Sequence, residues 1–477
     1  MLFNSVSFAV FLVAVLCVYW AASKLLPRAQ NLIILAASYL FYGMWDWRFL
    51  GLLVLGTLVD YLVALALGRA TGPGRRKALL WSDVVFNLAL LGFFKYFGFF
   101  LDSIADLLGL FGMTVNPTTM TIILPVGISY YTFKKLSYVI DVHDRRVEPE
   151  RDPVAFFGFV AFFSQILAGP IDRATTLLPQ FRQRRVFDEL LFRDGTRQIL
   201  AGFLKKLVFA DNLLPLVNDI FTNHGQYDGL TIVIGVFFAA MQIYCDFSGY
   251  SDIAIGVGKL LGFRIIPNFA FPYFSRDIAE FWRRWHISLS TWLRDYLYVP
   301  LCGPKPTRNR KGFFIVVTFT LCGLWHGPNW RFIFWGFLHG LYFLPMTLKR
   351  RHHRFIGTPA KGRLIPSIRE TRAMALTFLG TSVAWVFFMG ESFTQAFGVL
   401  GRIFIQPFQG LDYSAYLPLL AGCLALLCLE WLQREKEYFL QIERFPRAAR
   451  WGIYCALIIV ILVFGAFGST EFLYTQF

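Results

Sequence analysis

Seven histidines occur in the 477 residues, and their neighbours sort them by the chemistry each could do. His326 lies in TFTLCGLWHGPNWRFIFWGFLHG, where an apolar run meets Trp325, Gly327, Pro328, Asn329 and Trp330. Proline and glycine at that point break or kink a helix and open its backbone around the imidazole. With an ordinary pKa near ~6.5, an imidazole held there can take a proton from a hydroxyl, which suits a general base; a core histidine bonded to a backbone carbonyl is the other reading. His286, in RRWHISLSTWLRDYLY, sits at the rim of an aromatic stripe. His339 follows His326 by 13 residues, roughly 20 Å along a continuous helix. It therefore shares the site only if the Gly327-Pro328 break folds the chain back, and a structural role is expected for it. His143 beside Asp141 and Asp144, His224 in a polar loop, and His352 and His353 among arginines have structural or solvent explanations.

Acidic residues gather in YCDFSGYSD, where Asp246 and Asp252 flank Ser248. Ionisable groups inside membrane segments are functional candidates whose partners have to be named. These two either orient a histidine or line a polar tunnel, or they pair with Arg283, Arg284 or Arg294 to hold helices together. The seven cysteines show no CxxC spacing, so neither a disulfide framework nor a zinc site is expected. GxSxG, HExxH, P-loop and GxGxxG patterns are missing too, which leaves serine-hydrolase, zinc-protease and nucleotide-fold readings without support.

The elements that must position these residues are membrane helices. The chain is 56% hydrophobic and 16% charged, against about half apolar and about a quarter charged in an average soluble domain. Apolar stretches near the roughly 20 residues needed to cross a bilayer recur throughout, so residues 1–477 read as one polytopic membrane domain. Candidate segments are Leu2 to Ala22, Asn31 to Trp45, Phe49 to Leu67, Ala78 to Phe94, Met120 to Ile140, Val154 to Leu167, Gly229 to Tyr244, Phe313 to Leu324, Phe332 to Met346, Met374 to Met389, Ala415 to Leu432 and Gly452 to Gly468. The expected fold is all-α, with about a dozen membrane segments, some of them re-entrant or interfacial.

The net charge of +16 is spread over loop clusters: Arg69 with Arg75, Arg76 and Lys77; Arg182, Arg184 and Arg185; Lys305, Arg308, Arg310 and Lys311; Lys349, Arg350, Arg351 and Arg354. Each flanks an apolar run, as positive-inside signals do, and no basic-aromatic module accompanies them, so nucleic acid is not an expected partner. No cation precedes the first apolar run, and Lys24 and Arg28 follow it; this argues for a membrane helix with its N-terminus outside rather than a cleaved signal.

Irregular polar stretches in the middle are tolerated at membrane depth only where protein or an aqueous cavity surrounds them. Between Ile266 and Pro300, Ile278, Trp282, Trp285, Leu289 and Trp292 fall on one helical stripe, which predicts an interfacial or re-entrant amphipathic helix. Broken helices carrying His and Asp are also how secondary transporters bind their substrates, although no inverted repeat is present.

These residues carry a resemblance. MLFNSVSF, ASYLFYGMWDWRF, FFKYFGFF, ILPVGISYYTFKKLSYVIDV, ILAGPIDR, GFLKKLVFAD, YCDFSGYSDIAIGVGKLLGF, FPYFSRDIAEFWRRWHISLSTWLRDYLYVPL and CGLWHGPNWRFIFWGFLHG resemble the bacterial polysaccharide O-acetylation branch of the membrane-bound O-acyltransferases. The likeness covers residues 1–345 in order, while 346–477 share only their apolar, helical character. One departure is Ser164, where relatives often carry proline; it is expected to leave activity intact.

The resemblance implies tilted helices around a central tunnel, a catalytic histidine at His326 and a second polar residue at His286. Asp246, Ser248, Asp252, Trp325, Asn329 and Arg294 are candidates for the tunnel. It further implies an acetyl group moving from a cytoplasmic donor, acetyl-CoA, toward hydroxyls of an extracytoplasmic polysaccharide such as alginate, in the bacterial inner membrane and without a bound cofactor. D-alanyl transfer to teichoic acid is the related alternative. Since no segment outside the membrane is long enough for a polysaccharide-binding domain, a separate periplasmic acetyltransferase is expected as partner.

Overall fold

The computed structural model describes residues 1–24, 27–113, 122–349, 354–408, 413–468 and 472, and among them it contains helices and no strand. The chain opens with α1 (Val6–Ala21), α2 (Pro27–Gly43), α3 (Trp47–Arg69), α4 (Pro73–Leu91) and α5 (Phe97–Gly109). Then come α6 (Ile128–His143), α7 (Pro153–Ala161), α8 (Ala174–Arg182), α9 (Glu189–Phe203), α10 (Asp211–Thr222) and the long α11 (Gly229–Leu260). Short helices α12 (Ile278–Arg284), α13 (Ile287–Leu293) and α14 (Val299–Cys302) precede the hairpin of α15 (Arg308–His326) and α16 (Trp330–Leu348). The last elements are α17 (Ile368–Met389), α18 (Phe393–Ile405), α19 (Leu417–Leu432) and α20 (Arg447–Phe464).

Local chemistry sets many of the starts. Ser5, Asp46, Asp152, Asp188, Asp228, Thr307, Asn329 and Ser367 each accept a backbone N–H at the head of a helix, the role for which short polar side chains are favoured. Three helices widen into π turns at Gly92–Tyr96, Leu204–Ala210 and Arg294–Tyr298. Such turns often mark functional positions, and these hold Lys95, Lys205 with Lys206, and Arg294.

Among the described residues, six stretches are long and apolar enough to cross a bilayer: Trp47–Arg69, Pro73–Gly109, Gly229–Leu260, Ile368–Met389, Ser414–Leu432 and Arg447–Phe464. Burial separates them. On α20 only Ile461 is buried, as fits a helix facing lipid, whereas α6 and most of α11 lie within the bundle.

Several expected segments take other forms. Val154 to Leu167 is not one helix, because α7 stops at Ala161 and the buried run after it, with Ser164, is irregular. Beyond Tyr244, α11 runs on to Leu260, because lysines from the Leu204–Ala210 turn meet the carboxylates of Asp246 and Asp252. The aromatic stripe does not lie on one amphipathic helix either: Trp285 is extended, and His286 turns the backbone into the left-handed region at φ 43°. Ile278, Trp282, Trp285, Leu289 and Trp292 are nonetheless all buried, so packing rather than an interface holds the stripe. The start of the predicted Met120 to Ile140 segment, Arg350, Arg351, His352 and His353 fall outside the described residues.

Candidate active site

His326 is the last residue of α15, and Gly327 leaves the helix in extended conformation. A Cβ at Gly327 would lie 2.4 Å from the Phe332 ring, so a side chain at this corner would require that buried ring to move. Asn329 then accepts the Arg331 N–H at 3.0 Å and starts α16, which packs back along α15. The Gly327-Pro328 break thus reverses the chain and brings His339 within one indole of His326. Trp335 lies between them, 5.1 Å from the His326 ring and 4.8 Å from that of His339. His339 accepts the Trp282 indole N–H at Nδ1, 3.2 Å away, an arrangement that fixes its tautomer and joins two helices.

The His326 imidazole is 3% exposed and is held by Trp325, Trp335 and Phe388, each edge-on at 5.0 to 5.5 Å between centroids. It is not sealed in. A narrow pocket is lined by His326, Trp325, Lys95, Leu167 and the segment from Leu124 to Tyr130. That segment bends at Gly127, with φ of 74°, where a Cβ would stand 2.2 Å from the Ile166 carbonyl oxygen. A second narrow pocket, lined by Lys134 and Gln165 among others, shares Tyr130 with the first.

His286 comes to the same place from 40 positions earlier. Its ring lies 6.2 Å from Trp325, 6.5 Å from Tyr130 and 4.6 Å from Phe247. Nδ1 is 3.0 Å from Asn268 Oδ1, and the same oxygen accepts the Ser288 backbone N–H and hydroxyl at 3.2 and 2.8 Å. Since a backbone N–H can only donate, that Asn268 atom is the oxygen and His286 Nδ1 carries the ring proton. Nε2 is then the ring's acceptor. The left-handed turn at His286 aims the imidazole inward, and Asn268, absent from the sequence-level candidates, sets its tautomer.

The other candidates lie elsewhere. Asp246 pairs with Lys206 at 2.6 Å, and Lys206 also meets Asp211 at 2.8 Å. Asp252 accepts from Lys205 at 3.1 Å and Gln198 at 2.9 Å, and Lys205 reaches Glu430 at 3.3 Å. The partners are therefore lysines of the Leu204–Ala210 turn, not Arg283, Arg284 or Arg294, and the layer locks α11 against that turn. Ser248 is buried between these acids on α11. Arg294 is exposed and bonds Asp295 at 2.6 Å, and Asn329 is an exposed helix cap. Of the tunnel candidates, only Trp325 shares the pocket wall with His326. Among the described residues, no group of three or more His, Cys, Asp or Glu is placed to hold a metal ion.

A buried imidazole on a pocket wall can remove a hydroxyl proton, and a second imidazole of fixed tautomer across a shared indole can accept a hydrogen bond that orients a reactant. The comparisons give this arrangement its class. Residues 150–389, which hold His286, His326 and His339, match the sequence model of the membrane-bound O-acyltransferase family, and the chain belongs to that family. It is a multi-pass membrane protein and an O-acyltransferase.

Among named proteins it is 40% identical over 381 residues to the probable alginate O-acetylase of Azotobacter vinelandii, covering 79% of this chain and 73% of that one. The peptidoglycan O-acetyltransferase of Helicobacter pylori is 30% identical over 401 residues, 78% and 73% of the two chains. The teichoic acid D-alanyltransferase of Streptococcus thermophilus is 30% identical over 313 residues, 61% and 75% of the two.

Proposed function

We propose that this chain carries acetyl groups from acetyl-CoA on the cytoplasmic side toward hydroxyls of an extracytoplasmic polysaccharide such as alginate, from a place in the bacterial inner membrane. The carrying observation is that His326, at the break between α15 and α16, lines a pocket in a chain 40% identical to a probable alginate O-acetylase. In this reading about a dozen membrane segments surround a tunnel that includes the pocket, and the acetyl group is received by a separate periplasmic acetyltransferase. Acetyl is favoured over D-alanyl because the likeness to the D-alanyltransferase is weaker and spans less of the chain.

The chemistry follows from the ring positions. His326 takes the proton of the attacking hydroxyl as its oxygen bonds to the thioester carbonyl carbon, and the carbonyl π pair moves onto oxygen. When that pair returns, the carbon–sulfur bond breaks and the thiolate leaves with the proton held by His326. His286, whose Nε2 is left as an acceptor by the bond to Asn268, orients the reactants by accepting a hydrogen bond. General-base catalysis of this kind contributes about 10²- to 10⁴-fold.

Proteoliposomes containing the chain, with labelled acetyl-CoA on one face and alginate plus the partner acetyltransferase on the other, test the reading. Ester-linked label on the polymer is expected. Label accepted only from a D-alanyl carrier protein favours the related activity, and solute movement without thioester cleavage favours a transporter.

A further inference from the structure

Six lysines are buried among the described residues: Lys95, Lys134, Lys135, Lys205, Lys206 and Lys259. Four of them face an acid directly. Lys135 meets Asp60 at 2.8 Å, Lys205 meets Asp252 and Glu430, Lys206 meets Asp211 and Asp246, and Lys259 meets Asp194 and Glu437. Lys134 reaches one through an amide, donating to Gln165 Oε1 at 2.8 Å while Gln165 Nε2 donates to Asp172 at 2.6 Å. Of the six, Lys95 alone has no carboxylate, direct or relayed, among the described residues. Its Nζ donates to the Trp325 carbonyl at 2.6 Å, the Ser129 hydroxyl at 3.2 Å and the His326 carbonyl at 3.3 Å.

Those three acceptors match the three protons of an ammonium. Two of them are terminal carbonyls of α15, where the helix dipole favours a cation. Removing a charge from water is costly unless something compensates it, and five of the six buried lysines meet that demand with an acid, direct or relayed. The sixth stands on the wall of the His326 pocket, in a π turn, and no carboxylate among the described residues pairs with it.

On the acyl-transfer reading above, we infer that Lys95 is a catalytic residue whose charge stabilises the negative oxygen that develops on the acyl carbonyl during transfer. The missing counter-ion is the transition state itself. Attack of the hydroxyl on the thioester, with its proton passing to His326, places a full negative charge on the carbonyl oxygen; collapse returns that pair to carbon and expels the thiolate, which takes the proton from His326. Lys95 gains and loses no proton in the cycle. Its bond to the His326 carbonyl is the longest of the three, so that N–H can turn to the pocket as charge builds. A cation already held in a low-dielectric site reorganises little at that moment, and comparable donors contribute about 10²- to 10³-fold.

The full-length chain in proteoliposomes, assayed with labelled acetyl-CoA and alginate plus the partner acetyltransferase, tests this. Lys95→Met removes charge and donors, while Lys95→Gln keeps an amide N–H to hold the α15 carbonyls. Both variants are expected to lose about 100-fold in kcat with KM for acetyl-CoA within about threefold of wild type and equal amounts of monodisperse protein in detergent. Turnover by Lys95→Gln within threefold of wild type, or a loss confined to KM, overturns the inference. So does failure of both neutral variants to accumulate, which would make the ammonium a folding element. If wild type cleaves no thioester, the acyl-transfer reading fails and takes this inference with it; if wild type transfers acetyl and Lys95→Gln does too, only the inference fails.

Discussion

Gly323 and Gly336 meet backbone to backbone across the α15–α16 hairpin. A Cβ on Gly323 would lie 2.0 Å from the Phe332 oxygen and 3.1 Å from the Gly336 nitrogen, and one on Gly336 would lie 2.1 Å from the Phe319 oxygen and 2.9 Å from the Gly323 nitrogen. This approach lets α16 return along α15 and sets His326 against Trp335. Close approach of helix backbones through small residues is a recurrent means of packing in membranes.

Either Gly323→Ala or Gly336→Ala therefore pushes the helices apart and displaces the imidazole. Overpacking costs typically about 1 to 3 kcal/mol, and backbone atoms, unlike side-chain ends, have little room to give. A lower melting temperature in detergent and at least tenfold lower transfer are expected. A melting curve and activity equal to wild type would mean that the hairpin tolerates a wider spacing.

The second imidazole depends on Asn268. Replacing it with alanine removes the oxygen that holds the His286 Nδ1 proton and accepts two bonds from Ser288. Activity should fall about tenfold or more, while Asn268→Asp, which keeps an acceptor, should recover part of it. Equal activity in wild type and Asn268→Ala would remove His286's tautomer from the mechanism.

Lys206 is predicted to act on stability. Lys206→Met leaves Asp211 and Asp246 without the cation that links the Leu204–Ala210 turn to α11, and breaking a buried pair costs about 3 to 5 kcal/mol. Loss of folded protein from membranes is expected, with partial recovery when Asp246→Asn is added. Full expression and stability of the single variant would show that water reaches this layer.

Much of the site was legible because the chain interrupts itself there. The Gly327-Pro328 break beside His326 marks a turn from the residues alone, whereas His286, at the rim of the aromatic stripe, was a site candidate through the family resemblance. Partnerships between distant helices were not legible. Asp246 finds Lys206, 40 positions earlier, and nothing in either segment separates lysine from the nearby arginines as its partner. Lys95 and Tyr130 were not singled out for another reason: Lys95 lies just past the Ala78 to Phe94 segment and Tyr130 inside the Met120 to Ile140 one, both among aromatic residues, and only packing brings them to the His326 pocket. The single stripe from Ile278 to Trp292 failed as one helix because its period continues across a left-handed residue that periodicity cannot register.

Measuring labelled acetyl transfer by His326→Ala, as full-length protein in proteoliposomes at matched amount and matched monodispersity, is the most direct test of the general-base assignment. A fall of at least about 100-fold, with acetyl-CoA still bound, is predicted. Transfer at the wild-type rate would contradict it.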